Sequence, residues 1–343
     1  MAGLSAAARA RELGGSPVVV EKGDRPGGSM LLSSCVIWRY RDWKDFRAEC
    51  PTGDELLQRA VWERLDEGIA WLESLGAPVV DHATGNPRTV GKRFDPRGLT
   101  DTLVRAAGEV RLRETTEEVT ILATGGFQGS PALVAAHIRP GGPLRLRANP
   151  WSSGDGLRRG LARGAEPSAG MDEFYGRNMP DAEFSPEQFV PLAQLYGRFA
   201  RVYNDRGEEF FDGEVSWSEN DLVQATARQP GARAWYVLDD EALDRRVRER
   251  KVADLVALAP TAIDPSQLPF RAPRDARIAV RVAPGITHTI GGIRIDDQAG
   301  VVGVDGLFAA GADVGGISTG GYASGLAAAL VFGRIAAESA LAR

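Results

Sequence analysis

A chain of 343 residues exceeds the roughly 250 to 300 that one hydrophobic core organises, so two domains are expected. Hydrophobic residues at 43%, charged residues at 25% and a net charge of −5 describe a folded globular protein and give no reason to expect nucleic acid or an anionic membrane as partner. Two cysteines, Cys35 and Cys50, cannot build a disulfide framework or a metal site, no secretory signal is recognisable, and no apolar run reaches about 18 residues, so the expectation is a cytoplasmic protein with no metal and no membrane span.

Met1-Ala2-Gly3-Leu4-Ser5-Ala6-Ala7 reads as the last glycine of a G-x-G-x-x-G loop and the first turns of its helix. That helix is predicted from about Leu4 to Leu13, closing at Gly14-Gly15, and the apolar strand Pro17-Val18-Val19-Val20 follows, ending on Glu21. A dinucleotide site uses this order: glycines let the backbone approach a pyrophosphate, the helix N-terminus stabilises its charge, and a carboxylate ending the second strand binds a ribose. Gly3 and Glu21 are 18 positions apart, near the spacing of about 20 expected of that acid. With one strand and two glycines of the fingerprint not in the sequence, the same residues also fit an ordinary helix-turn-strand.

The turn Gly23 to Ser29 comes next, then an amphipathic helix near Asp54 to Leu75 with Trp62, Leu65, Ile69 and Leu72 at helical spacing. Ile121 to Phe127 is an apolar strand running into a glycine turn, and Trp151 to Leu157 opens another helix with Asp155 near its start. From about Met171 to Arg281 aromatic and Pro-rich segments of mixed charge indicate a separate lobe, in which Arg245 to Lys251 reads as a solvated helix face. The glycine-strand texture returns at Pro284 and persists to the end.

In that last stretch Pro284 to Gly292, Gly306-Leu307-Phe308-Ala309-Ala310-Gly311-Ala312-Asp313, Ser324-Gly325-Leu326 and Val331 to Ala336 resemble the C-terminal flavin-binding half of the fumarate reductase/succinate dehydrogenase flavoprotein family. Glu21-Lys22, Gly27-Gly28-Ser29, Ala123-Thr124-Gly125-Gly126 and Gly154-Asp155-Gly156 supply the family's earlier landmarks in order. The resemblance implies an α/β fold: a Rossmann-like FAD-binding domain in two sequence-distant pieces, 1–172 and 283–343, with an inserted α+β capping domain at 173–282. It implies FAD as cofactor. Gly3 and Ser5 would face the pyrophosphate, Glu21 with Lys22 the adenosine ribose, and Gly27, Gly28, Ser29 and Met30 the dinucleotide. Ala123, Thr124, Gly125, Gly126 and Asp155 would approach from the sheet. Asp313, after Gly311, takes the place of the family's glutamate and would reach the ribityl chain, and Ser324, Gly325 and Leu326 would offer backbone amides to the flavin ring, where reduction develops negative charge.

The family's chemistry is hydride transfer between flavin N5 and carbon, and its fumarate-reducing members use two histidines and two arginines that clamp carboxylates and supply a proton. His288 matches the second histidine, whereas Tyr175 stands at the first. The proton-donating arginine is expected near Ser216 to Glu219, where the chain reads Ser216-Trp217-Ser218-Glu219, and the other aligns with Gly320. Fumarate and succinate are therefore not the expected substrates. Tyr175, Arg177, Tyr196, Tyr322 and His288 are implied at or near the cap-flavin interface, with a small organic acid or enone as substrate and an unspecified electron donor or acceptor. Of these His288, Tyr175, Arg177 and Tyr322 are the catalytic candidates. Each has a plain alternative: His288 as loop support, the tyrosines as packing aromatics, Arg177 as a surface ion pair. Cys35, on a segment expected near the flavin, reads as a buried apolar residue.

The stretch Val110 to Val119 is shorter than the family's strands before Ala-Thr-Gly-Gly, and Met1 reads as an internal methionine of a Gly-x-Gly-Met-Ala-Gly loop. Two functions follow: an FAD-dependent oxidoreductase acting on a carbon-carbon bond beside a carbonyl or carboxylate, or a degenerate member that keeps the fold without turnover.

Overall fold

The structure is a computed structural model describing residues 1–247 and 249–342. In chain order it contains α1 (Ala2–Glu12), β1 (Val19–Glu21), β2 (Val36–Tyr40), α2 (Trp43–Glu49), α3 (Glu55–Ser74), β3 (Val79–Asp81), β4 (Thr89–Phe94), α4 (Pro96–Ala107), β5 (Val110–Leu112), β6 (Ile121–Leu122), α5 (Pro131–His137), β7 (Arg145–Leu146) and α6 (Asp155–Ala162). There follow β8 (Phe174–Pro180), β9 (Arg201–Tyr203), α7 (Asn220–Arg228), β10 (Ala234–Leu238), α8 (Asp240–Asp244), β11 (Arg246–Val247), β12 (Arg250–Lys251), α9 (Val252–Val256), β13 (Ala262–Ile263), β14 (Ile278–Thr289), β15 (Phe308–Ala309) and α10 (Gly325–Leu341). The chain divides into two compact units, Met1–Leu133 with Ala148–Glu173 and His288–Arg343, and Val134–Arg147 with Phe174–Thr287. Residues 134–147, which the sequence assigns to the first FAD piece, fall in the second unit because β7 pairs in parallel with β14 through Arg145–Gly285 and Leu146–Ile286.

In the first unit β1 pairs in parallel with β5, and β15 in parallel with β6, as two separate pairs, while β2, β4 and β3 form an antiparallel sheet. Residues 110–112, at the start of the shortened stretch, are thus a true strand. The helix α1 packs on α10 by its small face: Ala6 and Ala10 bury with Ala337. A methyl on Gly333 would stand 2.7 Å from the Ala2 carbonyl, so only glycine admits this approach. The long helix α3 begins where Asp54 accepts from the Leu56 and Leu57 amides at 2.9 and 3.2 Å. Its Leu65, Ile69 and Leu72 are buried, as their spacing predicts.

The second unit is built on a six-stranded mixed sheet in which β14 is the hub, pairing with β13, β10, β7 and β8, and β9 adds to β10. Strand β10 is buried along its whole length, and Tyr236, Leu238, Val280 and Val282 form the core with Leu222 of α7 and Val252 and Val256 of α9. One expectation here is corrected. Arg245 to Lys251 does not present a helix face: Arg246–Val247 pairs antiparallel with Arg250–Lys251 as a tight hairpin, and Arg248 lies outside the described residues. The run carries no Gly or Asn turn signal, and its mixed charge imitates a solvated helix face.

Candidate functional site

Residues far apart in sequence converge in the first unit at the start of α1. A methyl on Gly3 would meet the Ala123 Cβ at 3.4 Å, and one on Gly311 would meet the Ala2 Cβ at 3.0 Å. The approach at Gly311 is the tighter of the two, and its φ of +73° also favours glycine. Ser5 is buried and its hydroxyl donates to the Met1 sulfur at 3.4 Å.

Asp313 organises this point. Its carboxylate, only 1% exposed, accepts from the Thr124 amide, from the Thr124 hydroxyl at 2.9 Å and from the Gly126 amide at 3.2 Å. Burial pushes its carboxyl above the usual range against the pull of those donors. The side chain expected as a ribityl contact also ties the glycine turn after β6 to the loop after β15. The turn is one that glycine alone suits, with φ of +95° at Gly125 and +83° at Gly126. The Gly156 amide, at the start of α6, donates to the Thr124 hydroxyl at 2.9 Å, so a third segment joins the same hub.

At the end of β1, one Glu21 oxygen accepts from the Gly23 amide at 2.7 Å, an arrangement that fixes the carboxylate at the strand terminus. Lys22 reaches the other way, donating to Ser153 at 2.7 Å and pairing closely with Asp155, which also accepts from Arg158 at 2.8 Å. These cations hold the Asp155 carboxyl below the usual range against the opposing effect of its burial. Gly27 and Gly28 both have positive φ, Ser29 accepts from the Asn149 amide at 3.1 Å, and Met30 is buried.

Two of the four catalytic candidates lie together in the first unit. His288 and Tyr322 have ring centroids 6.0 Å apart, and Trp38 meets Tyr322 edge-on at 5.9 Å. The Tyr40 hydroxyl donates to the Tyr322 carbonyl at 3.2 Å, which fixes that loop. His288 is half-buried against the start of α10: a methyl on Gly325 would stand 2.9 Å from its Cε1 and 3.2 Å from its Nε2. Ser324 caps α10 by accepting from the Ala327 amide at 3.3 Å, which leaves the Gly325 and Leu326 amides without intrahelical acceptors. Burial pushes the His288 imidazole down to about 4, so it is neutral near pH 7. A histidine harder to protonate folded than unfolded contributes stability that is fully present above pH 6.5 and is lost as pH falls towards about 4. Chemical denaturation across that window is expected to show a shallower loss in His288→Gln than in the parent; parallel curves would refute the assignment.

Tyr175 and Arg177 lie on β8 in the second unit, the guanidinium 5.4 Å from the ring centroid. Arg177 Nη1 donates to the Ser218 carbonyl. Tyr196 is fully buried in the second unit, and its hydroxyl donates to Gln194. Cys35 is buried as expected, in the left-handed region at φ 52°, and burial pushes its thiol up to about 12. Glu219, which ends the segment where the sequence expects an arginine, is 3% exposed, and Arg198, which no motif marks, stands with its Nε 3.4 Å from it.

The residues of the first unit fit a flavin dinucleotide. Among the described residues the Gln128 Oε1, Thr289 Oγ1 and Thr319 Oγ1 atoms are buried without a hydrogen-bond partner. A methyl on Gly126 would stand 2.7 Å from Thr289 Oγ1, 2.8 Å from Gln128 Oε1 and 3.0 Å from the Ala312 carbonyl, a cradle of oxygens around a bare backbone. Sequence comparison decides the family: a model described as the FAD binding domain matches residues 1–107 and 95–326. The chain belongs to that family of FAD-dependent oxidoreductases. The flavoprotein is 24% identical to a probable fumarate reductase, Ifc3, of Shewanella frigidimarina over 439 aligned positions, covering 99% of this chain and 73% of that one. It is 23% identical to the NADH:fumarate oxidoreductase of Klebsiella pneumoniae, covering 100% of this chain but 47% of the relative. Its fold superposes with a TM-score of 0.71 on 3-ketosteroid-Δ4-(5α)-dehydrogenase from Rhodococcus jostii RHA1 at 19% identity, covering 99% of this chain and 94% of that structure. No described helix of the flavoprotein is long and apolar enough to cross a membrane.

Proposed function

We propose that the protein transfers a hydride between FAD and a carbon-carbon bond beside a carbonyl or carboxylate, in a small organic acid or enone other than fumarate or succinate. The observation that carries this reading is the His288 ring set against the amino end of α10 and Tyr322, in the same unit as the Thr124–Gly126 and Asp313 hub. Bound FAD supplies the hydride acceptor or donor. The amides of Gly325 and Leu326 are suited to developing negative charge, which the helix N-terminus favours. His288, uncharged, accepts or donates one hydrogen bond at a substrate oxygen, and Tyr322, Tyr175 and Arg177 are the further catalytic groups.

A dicarboxylate is disfavoured at Gly320. Its φ is +88°, its amide donates to Glu173 at 2.8 Å, and a side chain there would begin 3.0 Å from Pro51 Cδ and Thr52 Oγ1. An arginine there would be strained in its backbone and would crowd these neighbours. Relatives named for fumarate and for acrylate, together with a fold shared with a steroid dehydrogenase, support a carbon-carbon bond as the reacting group.

The test is to load the protein with FAD, reduce it anaerobically, and follow reoxidation by crotonate, cyclohexenone and fumarate. Crotonate or cyclohexenone is expected to reoxidise the flavin and fumarate is not. A protein that retains FAD yet is reoxidised by none of them favours the fold-without-turnover reading, and fumarate as the fastest acceptor overturns the substrate assignment.

A further inference from the structure

Three of the seven tryptophans, Trp38, Trp43 and Trp62, stand on β2, α2 and α3, all in the first unit. Their rings belong to one continuous row. The half-buried Trp62 and Trp43 meet at a centroid distance of 6.0 Å, and Trp43 meets the buried Phe46 at 5.8 Å. Phe46 lies 5.7 Å from Tyr40, Tyr40 lies 5.2 Å from Trp38, and Trp38 lies 5.9 Å from Tyr322, which flanks His288. Every step falls within the roughly 4.5 to 7 Å at which aromatic rings pack. A hydrogen bond shortens the row: the Trp62 indole N–H donates to the Tyr40 carbonyl at 3.0 Å, so Trp62 is tied directly to the strand that carries Trp38. Residues 38 and 40 share one face of β2, which is why both rings enter the row. Trp38, Tyr40 and Phe46 are buried, so the middle of the row is dry while its outer end reaches solvent.

Indole and phenol give up single electrons, and the charges around these rings give the transfer a direction. A guanidinium over a ring makes removal of an electron from it harder, because it opposes the positive charge that forms there. Arg59 stands 3.9 Å from the Trp43 centroid and Arg39 5.2 Å from that of Trp62, whereas neither covers Trp38. An oxidising equivalent on the outer pair is therefore driven inward to Trp38. Tyr40 is a poor resting place for it. Tyrosine loses its proton together with its electron, and the Tyr40 hydroxyl donates to the Tyr322 carbonyl, which cannot take the proton. We propose that the row is a radical relay, carrying an oxidising equivalent from the surface at Trp62 and Trp43 to Tyr322 beside His288. A one-electron oxidant takes an electron from Trp62 or Trp43, Trp38 restores that ring, and Tyr322 restores Trp38, its phenolic proton passing to water. The net change is an oxidant reduced by one electron, a tyrosyl radical at Tyr322 and one released proton. The relay uses neither substrate nor hydride transfer, so it goes beyond the proposed function and does not depend on it.

The azide radical, generated by pulse radiolysis, is the probe, because it takes one electron from tryptophan and becomes the azide anion. In the FAD-loaded full chain the indolyl-radical absorption is expected to decay as tyrosyl-radical absorption grows, in a first-order step whose rate does not change with protein concentration. Tyr322→Phe removes only a hydroxyl and is expected to lose the Tyr322 share of that growth, leaving the indolyl radical longer-lived. Trp38→Phe keeps an aromatic ring in place but one that the outer radicals cannot oxidise, and is expected to lose the same share. The double variant Trp43→Phe/Trp62→Phe closes the entry and is expected to lose it too, whereas Trp151→Phe, outside the row, keeps it. A parent without concentration-independent tyrosyl growth overturns the proposal, as does parental growth in Tyr322→Phe or in Trp38→Phe. A loss in Trp151→Phe as large as in the double variant overturns it as well, since the entry would then not be the outer pair. If Trp38→Phe fails to fold, Tyr322→Phe decides. Reoxidation by crotonate or cyclohexenone tests the hydride-transfer reading separately, since the relay needs no turnover.

Discussion

Replacing Asp313 by Asn is expected to lower stability by about 3 kcal/mol and to abolish retention of FAD, because the side chain is acceptor-only at a point surrounded by donors. The Thr124 amide, the Thr124 hydroxyl and the Gly126 amide all point at its two oxygens. Asn offers one oxygen, and its NH2 group must then face an N–H or O–H donor, leaving buried groups unpaired. The damage is not local to one loop. Just before the hub, β15 and β6 pair through Phe308–Ile121 and Ala309–Leu122, and just after it Gly156 joins through the Thr124 hydroxyl. Loosening residues 124–126 therefore frees three chain segments that are distant in sequence. Urea unfolding midpoints and bound FAD after gel filtration measure the two effects. A variant with parental stability that still carries FAD would show that the carboxylate is dispensable and that the glycine turn holds itself.

What the sequence revealed follows the physics of close backbone approach. Gly125, Gly126 and Gly311 were legible because each adopts a positive φ that side chains rarely take, so glycines at fixed offsets along the chain announce the convergence. The strand ending on Glu21 and the helix capped by Asp54 were legible for similar local reasons. The chemistry of Asp313 was half legible. Its position was found, but its partners come from residues 124–126, and only the folded chain shows the three donors that its two oxygens receive. Arg177 was legible as a candidate, but its bond to the Ser218 carbonyl carried no signal: one lies on a strand, the other precedes a helix, and they meet only because β8 packs on α7. The hairpin at Arg246–Lys251 was misread because a charged run without Gly or Asn has the same texture whether it forms a helix face or two very short strands.

His288→Ala is expected to slow reoxidation of the reduced flavin by crotonate or cyclohexenone about a hundredfold while FAD stays bound, the usual scale for losing one positioned hydrogen-bonding or proton-transfer group. The expectation follows from where the ring is held. It contacts the start of α10 so closely that a methyl at 325 would stand 2.9 Å from its Cε1, and Tyr322 flanks it at a centroid distance of 6.0 Å. None of the Asp313 hub's donors comes from the histidine, so its removal leaves the ties among Thr124, Gly126, Gly156 and Asp313 in place. The pH dependence separates its roles. With the imidazole lowered to about 4, a rate that depends on neutral His288 holds level from pH 8 to about 5 and falls only as pH approaches 4, whereas an imidazolium acid would lose rate as pH rises through about 4. His288→Gln retains a hydrogen-bonding group and is expected to recover part of the rate. Gly325→Ala, by placing a methyl 2.9 Å from Cε1, is expected to displace the ring and reproduce much of the alanine defect without touching the imidazole's chemistry. Stopped-flow reoxidation of the three variants distinguishes these cases. An unchanged rate in His288→Ala would make the ring a support for α10 and move the chemistry to Tyr322, Tyr175 and Arg177.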